Sequence, residues 1–370
     1  MIETKEHKKT VIASENGIIA QMHTYDHEVV LVCNDNATGL KAFIAVHNTV
    51  LGPSLGGCRI WNYKNEQEAL TDVLRLSRGM TYKASVAGLN LGGGKSVIMG
   101  DAKVIKNEAL MRRFGRFVDD LGGKYITAED VGTNSKDMEY IRMETRHVTG
   151  IPESMGGSGD PSPVTAYGCL LGMKAAAKEK WGSDSLKGKK VGLQGVGNVG
   201  IHLVDYLAKE GAILSICDIN EEKLKEVANK YKATVVGLND IYNVDMDIYA
   251  PCALGATVNT ETIDKLKCSI IAGSANNQLA DEKIHGEMLM KKGVIYAPDF
   301  VINSGGLINV YTELGGGYNK ARAMTIADNI YHITLEIFKT AKAEGIPTYL
   351  AANRLAEKRI EQIGKVKLNH

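Results

Sequence analysis

Two lysines and one aspartate carry side chains suited to proton transfer. Lys83 ends the segment Met80-Thr81-Tyr82-Lys83, Lys95 follows Gly92-Gly93-Gly94, and Asp130 lies in Thr127-Ala128-Glu129-Asp130-Val131-Gly132. An amine taken out of water beside a second cation loses proton affinity, by ~3 pKa units in strong cases, and becomes a usable base at moderate pH. The second lysine can then grip a carboxylate, and the aspartate can exchange a proton. The three glycines before Lys95 are expected to let backbone and ligand approach closely. The segment is not a Walker A loop, because the position six residues before Lys95 is Leu89 and not glycine. On spacing alone, these three residues read equally well as solvated surface charges.

A second constellation is Gly195-Val196-Gly197-Asn198-Val199-Gly200-Ile201. The string G-x-G-x-x-G is weak by itself, but here it follows the strand-like KVGLQ and opens an amphipathic stretch. Gly195 would make the tight turn, Gly197 would admit a pyrophosphate, and Gly200 would let helix and strand touch. The helix N-terminus would attract the phosphate charge. Asp218 follows the next apolar run, 18 residues after Gly200. A carboxylate there accepts from ribose hydroxyls and repels a 2′-phosphate, so the expected cofactor is NAD rather than NADP.

The elements that must position these groups differ along the chain. Residues 28–33 and 41–46 read as strands. Asn65 with Glu68 is a capping-box pattern before a helix whose apolar face is Ala69, Leu70, Val73 and Leu74. From about Leu186 the pattern becomes alternating β and α. Strands are expected at 190–194, 213–217, 247–250, 269–272 and 294–296. Between them come a helix with the face Ile201, Val204, Leu207 and Ala208, and another capped by Asn220. This alternation predicts a parallel, doubly wound sheet. The chain has 370 residues, long enough for two closely joined domains. We expect an N-terminal α/β substrate and oligomerisation domain over 1–150, to which a helical tail from about 345 to 370 returns, and a Rossmann-type NAD domain over 151–344. A net charge of +1 from 44 basic and 43 acidic residues gives no field for nucleic acid. No apolar run approaches a membrane span, the N-terminus MIETKEHKKT has no signal-peptide core, and the six cysteines lack metal-ligand spacing. A cytoplasmic protein with reduced thiols, no metal and no membrane partner is expected.

Longer stretches carry a resemblance: LGPSLGG from Leu51, RGMTYKASVAGLNLGGGKSVIMGD from Arg78, RFGRFVDDLGGKYITAEDVGT from Arg113, DPSPVTAYG from Asp160, LQGVGNVG from Leu193, DIYAPCALGATVN from Asp247, IAGSANNQLA from Ile271, YAPDFVINSGGLINV from Tyr296 and GIPTYLAANRLAEKRI from Gly345. Over nearly the whole chain the sequence resembles the Glu/Leu/Phe/Val dehydrogenase family, its leucine branch most closely. Only the first ~20 residues, a possible added arm, and the last ten lack a counterpart. The resemblance implies oxidative deamination of an amino acid to a 2-oxo acid and ammonia, with hydride passing to NAD. It also implies a homo-oligomer, often an octamer. Lys83 would hold the substrate carboxylate, Lys95 would deprotonate the attacking water, and Asp130 would exchange a proton with the amine. Gly56 and Met80 would line the substrate site, with Thr165 and Asn277 near the nicotinamide.

In this family, glutamate enzymes carry Lys where this chain has Leu55 and Ser where it has Val310. A second carboxylate buried here without a partner would cost several kcal/mol. Leu55, Ala128, Leu307 and Val310 form an apolar set suited to an aliphatic side chain, although plain core residues would also be apolar. Leu307 stands where leucine enzymes often have the smaller Val, which predicts good activity on valine or isoleucine relative to leucine. Gly200, often Ala in relatives, suits the fingerprint, and Cys58 suggests no role. The alternatives are an aromatic amino-acid dehydrogenase, differing in pocket volume, and a catalytically silent NAD-binding regulator, which would need neither lysine nor Asp130.

Overall fold

Strands that are apolar almost throughout need cover on both faces. In the computed structural model, which describes residues 17–367, helices supply it for two sheets. The expected N-terminal arm falls largely in 1–16, outside the described residues. The first sheet comprises β1 (Val29–Asp35), β2 (Leu40–Asn48), β3 (Ser54–Trp61), β4 (Gly92–Met99) and β5 (Tyr125–Glu129), in the order β1-β2-β4-β3-β5. β2 pairs antiparallel with β1 and β4, whereas β3 runs parallel to both β4 and β5. Its helices are α1 (Ile18–Tyr25), α2 (Glu66–Val86), α3 (Ala102–Ile105), α4 (Glu108–Asp119) and α5 (Ser135–Arg142).

Two local expectations change. Asn65 Oδ1 accepts from Glu68 N at 2.9 Å, but the Glu68 carboxylate accepts from Lys64 N at 2.7 Å and not from Asn65 N. Only half of the capping box therefore forms. The Gly-rich stretch before Lys95 is no ligand loop either. Gly92, Gly93 and Gly94 begin a buried strand in the middle of the sheet, where their missing side chains admit neighbouring protein.

After α6 (Ser162–Trp181), the second sheet comprises β6 (Lys190–Gln194), β7 (Ile213–Cys217), β8 (Thr234–Val235), β9 (Ile248–Pro251), β10 (Ile270–Ile271) and β11 (Ile295–Tyr296). All its pairings are parallel, and the order β11-β10-β9-β6-β7-β8 is that of a dinucleotide-binding sheet, reversing direction between β6 and β9. α7 (Asn198–Lys209) buries Leu203, Val204 and Leu207, while the expected Ile201 and Ala208 are only partly buried against the same core. Asn220 caps α8 (Glu221–Tyr231) by accepting from Lys223 N at 3.0 Å. α9 (Thr260–Lys265), α10 (Glu282–Lys292), α11 (Asp299–Ile302), α12 (Gly305–Tyr311) and α13 (Lys320–Glu344) follow. The last helix, α14 (Thr348–Lys367), touches both units. Thr348 Oγ1 donates to Tyr296 O at 2.7 Å, and Arg359 Nη1 donates to Leu89 O at 2.8 Å, just beyond α2.

Two buried imidazoles tie β2 and the end of α1 to α2. His27 Nε2 meets Ser77 Oγ at 2.8 Å, His47 Nδ1 meets Thr81 Oγ1 at 2.7 Å, and the rings stand edge to face with centroids 4.8 Å apart. Burial first, and for His27 its neighbour His47, lowers both to about 4. The unfolded chain takes up these protons near pH 6.5 and the folded chain only near 4. Stability is therefore complete above pH 6.5 and falls as pH drops through that window, by on the order of a few kcal/mol. Urea midpoints should decline between pH 7 and 5. A His27→Asn/His47→Gln variant with the same slope would contradict this assignment.

Candidate active site

Absent side chains build the floor of the site. A Cβ on Gly93 would lie 2.1 Å from Thr81 N and 2.5 Å from Ser77 O, so α2 rests directly on β4. A Cβ on Gly56 would lie 1.7 Å from Gly94 O, and one on Gly57 would lie 2.7 Å from Asp130 Cβ. β3, β4 and the β5 end therefore sit unusually close, and three residues distant in sequence converge: Lys83 from α2, Lys95 from β4 and Asp130 after β5.

Lys95 is buried, 6% exposed, with its Nζ 2.8 Å from Asp130 Oδ2. Arg59 Nε donates to the same oxygen at 3.0 Å, while Arg59 Nη1 reaches Asp72 Oδ2 at 3.0 Å. Tyr63 OH completes the chain, donating to Asp72 Oδ2 at 2.7 Å. Burial works against the Asp130 charge, but Lys95 and Arg59 outweigh it and hold the carboxyl down at about 2. Asp130 thus rests as an anion beside its two cations. The amine that loses proton affinity is Lys83. Withdrawal from water and the Lys95 charge overcome the attraction of Asp299 and lower it to about 8. Lys83 Nζ donates to Asn276 Oδ1 at 3.2 Å, an oxygen also held by Asn303 Nδ2 at 2.9 Å. Asp299 is itself buried, which raises its carboxyl above the usual range despite bonds from Gln278 N and Phe300 N.

These groups border a cavity of about 820 Å³ between the two sheets. Its apolar wall contains Leu55, Met80, Ala128, Leu307 and Val310. Gly56 does not line it: its α-hydrogens face Gly94 and its carbonyl accepts from Tyr125 OH at 2.6 Å, leaving Gly57 at the surface. Thr165, Val199 and Asn277 form the opposite side. Asn277 is held in the left-handed region, φ 52°, and its carbonyl accepts from Ala256 N at 2.7 Å.

Val199 lies in the first turn of α7, so the glycine turn adjoins the cavity. Gly195 has φ 103°, and a Cβ on Gly200 would lie 2.0 Å from Gly195 O. Around Gly197 there is open space, and no side chain caps α7. Open space before uncapped amides suits the phosphates of a dinucleotide. Asp218 Oδ2 accepts from Val196 N at 2.7 Å and Oδ1 from Asn220 N at 2.8 Å. The acid thus braces the turn, and each oxygen keeps a lone pair for a ribose hydroxyl. Asn198 and Ile201 contribute backbone here and border no part of the cavity.

A family model described as Glu/Leu/Phe/Val dehydrogenase, dimerisation domain, matches residues 24–147, and one described as Glutamate/Leucine/Phenylalanine/Valine dehydrogenase matches 156–220 and 212–367. The chain belongs to the Glu/Leu/Phe/Val dehydrogenase family. This Glu/Leu/Phe/Val dehydrogenase is 55% identical over 350 residues to leucine dehydrogenase of Thermoactinomyces intermedius, covering 95% of each chain. It is 56% identical over 346 residues to leucine dehydrogenase of Geobacillus stearothermophilus, covering 94% of each. Among solved structures it is similar to L-tryptophan dehydrogenase from Nostoc punctiforme, with a TM-score of 0.82 and 46% identity over 94% of this chain and 99% of the other.

Sequence reasoning missed Arg59 and Asn276. Each neighbours a residue that drew attention, Cys58 and Asn277, but their partners lie far away in sequence. Arg59 meets Asp130 across 71 positions and Asn276 meets Lys83 across 193.

Proposed function

We propose that this chain oxidatively deaminates a branched-chain L-amino acid (leucine, valine or isoleucine) to the 2-oxo acid and ammonia with NAD, and catalyses the reverse amination. One observation carries the reading: Lys83, Lys95 and Asp130 meet an apolar wall in a cavity that adjoins the uncapped glycine turn. NAD, held by the glycine turn Gly195–Gly200 and Asp218, would supply the hydride acceptor for the α-hydrogen. The Lys83 ammonium holds the substrate carboxylate and so fixes the α-carbon in the cavity. Asp130 takes a proton from the substrate ammonium. Lys95, once its own proton has gone to solvent, takes a proton from the water that adds to the imino carbon. Asp130 returns its proton to the nitrogen, and as the C–N bond breaks the hydroxyl proton passes to the departing ammonia, which leaves as ammonium. Written in full, amino acid, NAD and water give oxo acid, NADH, ammonium and one proton.

Leu55 and Val310 leave a second carboxylate without a partner, so glutamate is excluded. Leu307 narrows the wall opposite, and selectivity among aliphatic side chains is worth ~1–3 kcal/mol per methylene. NADH formation from an amino-acid panel at alkaline pH tests the assignment. Leucine, valine and isoleucine should react at comparable kcat/KM, glutamate should be inert, and NADP should replace NAD poorly. A clear preference for phenylalanine or tryptophan would move the chain to the aromatic branch, and no turnover of any amino acid would mark it as an NAD-binding regulator.

The reading includes a homo-oligomer, with an octamer the size expected from the resemblance. The dimerisation-domain match and the free edge of β1 support assembly. It also includes a cytoplasmic site of action, which suits six unpaired thiols. Among the described residues no helix is long and apolar enough to cross a membrane.

A further inference from the structure

The proton-transfer pair is braced by Arg59, which borders the cavity but is anchored outside it. Asp130 receives both of its cationic partners, Lys95 and Arg59, on one oxygen, Oδ2. Such a carboxylate turns about its Cα–Cβ and Cβ–Cγ bonds unless something fixes its direction. Arg59 has a planar fork, so two bonds made from different edges of the guanidinium set its orientation. One edge, Nε, holds Asp130, and Nη1 holds Asp72. Asp72 is in turn held by Tyr63 OH on the same oxygen. Asp72 comes from the buried helix α2 and faces a separate groove with Trp61, Tyr63 and Thr71, not the cavity. The bracket thus runs from α2 through β3 to Asp130 just after β5, where Gly57 already brings β3 close to Asp130.

We propose that Arg59 is a positioning residue for the deamination reaction: its fork, anchored on Asp72 and Tyr63, aims the Asp130 carboxylate at Lys95 and the substrate amine. The inference rests on the reading of the chain as an amino-acid dehydrogenase. Arg59 transfers no proton itself. Its charge keeps Asp130 ionised and its geometry keeps the Asp130–Lys95 distance short. Asp72 acts one step further away, through Arg59 alone.

Misplacing a reacting group by about 1 Å costs on the order of 100-fold in rate. Arg59→Ala should therefore lower kcat on leucine by roughly 100-fold, with NADH affinity, read from its fluorescence, unchanged. Millimolar guanidinium should restore part of the lost kcat in that variant and do nothing for the wild type. Asp72→Asn should lower kcat by on the order of tenfold, although Asp72 does not border the cavity. Arg59→Lys, which keeps a charge but has no planar fork to fix the direction of two carboxylates, should fall between wild type and Arg59→Ala. Wild-type kcat in Asp72→Asn would overturn the proposal, including in the case where Arg59→Ala fails to fold. So would an Arg59→Ala variant that folds, loses rate and does not respond to guanidinium. A wild-type enzyme that turns over no amino acid would overturn the functional reading instead.

Discussion

Lys95→Ala lowers turnover by about 10²–10⁴-fold while NADH affinity stays within a few-fold of the parent, because the residue removed touches the proton and not the dinucleotide. Lys95 reaches Asp130 from the middle of β4, on the first sheet, whereas the glycine turn and Asp218 belong to the second. The variant should also stay folded. Asp130 keeps its bond to Arg59, so removing the ammonium does not leave a buried carboxylate alone, the circumstance that makes truncating one partner of a buried ion pair so costly. Pre-steady-state mixing separates the steps, and the variant should lose rate in the first turnover as well as in steady state. Turnover within tenfold of wild type would remove Lys95 from the chemistry and leave Lys83, the lysine lowered to about 8, as the base to test.

Gly93→Ala should destabilise the protein by more than about 4 kcal/mol or prevent folding, a size reserved for a few mechanisms. The added methyl would lie 2.1 Å from Thr81 N, 2.2 Å from Thr81 Oγ1 and 2.5 Å from Ser77 O. Two of those three atoms are helix backbone and cannot swing away, so α2 as a whole would have to lift. That movement would carry Met80 and Lys83 away from Lys95 and disturb the His47–Thr81 bond. Gly79→Ala, in the same helix, is the contrast. A Cβ there meets nothing within 4 Å, and the change should stabilise α2 by roughly 0.5–1 kcal/mol. Equal denaturation midpoints for the two variants would refute this account of the packing.

The second sheet was legible because its signals are local. A short apolar strand, three glycines, an amphipathic helix and a strand-end acid lie within about thirty residues, and each is set by its own neighbours. The strands expected at 190–194 and 213–217 coincide with β6 and β7. The first unit was less legible because glycine has two opposite uses. The residues before Lys95 read as room for a ligand, yet they make room for α2 and Tyr125, and only the three-dimensional path of the chain decides between these. The same ambiguity drew Gly56 to the cavity surface, where Gly57 lies instead. Arg59 escaped because a charge on a strand reads as solvated until its partners, 13 and 71 positions away, are known. For Lys83, Lys95 and Asp130, the family resemblance supplied what spacing could not.

The glycine contacts between α2 and β4 also separate positions around the cavity that can change from one that cannot. Any residue bigger than glycine at position 93 is blocked by main chain, so natural variation has almost no freedom there. α12 offers Leu307 and Val310 as side-chain tips, which can be exchanged singly without moving a backbone. New substrate preferences in descendants of this chain should therefore arise at such tips, Leu307 and Val310 on α12 and Leu55 on β3, while Gly93 is inherited intact.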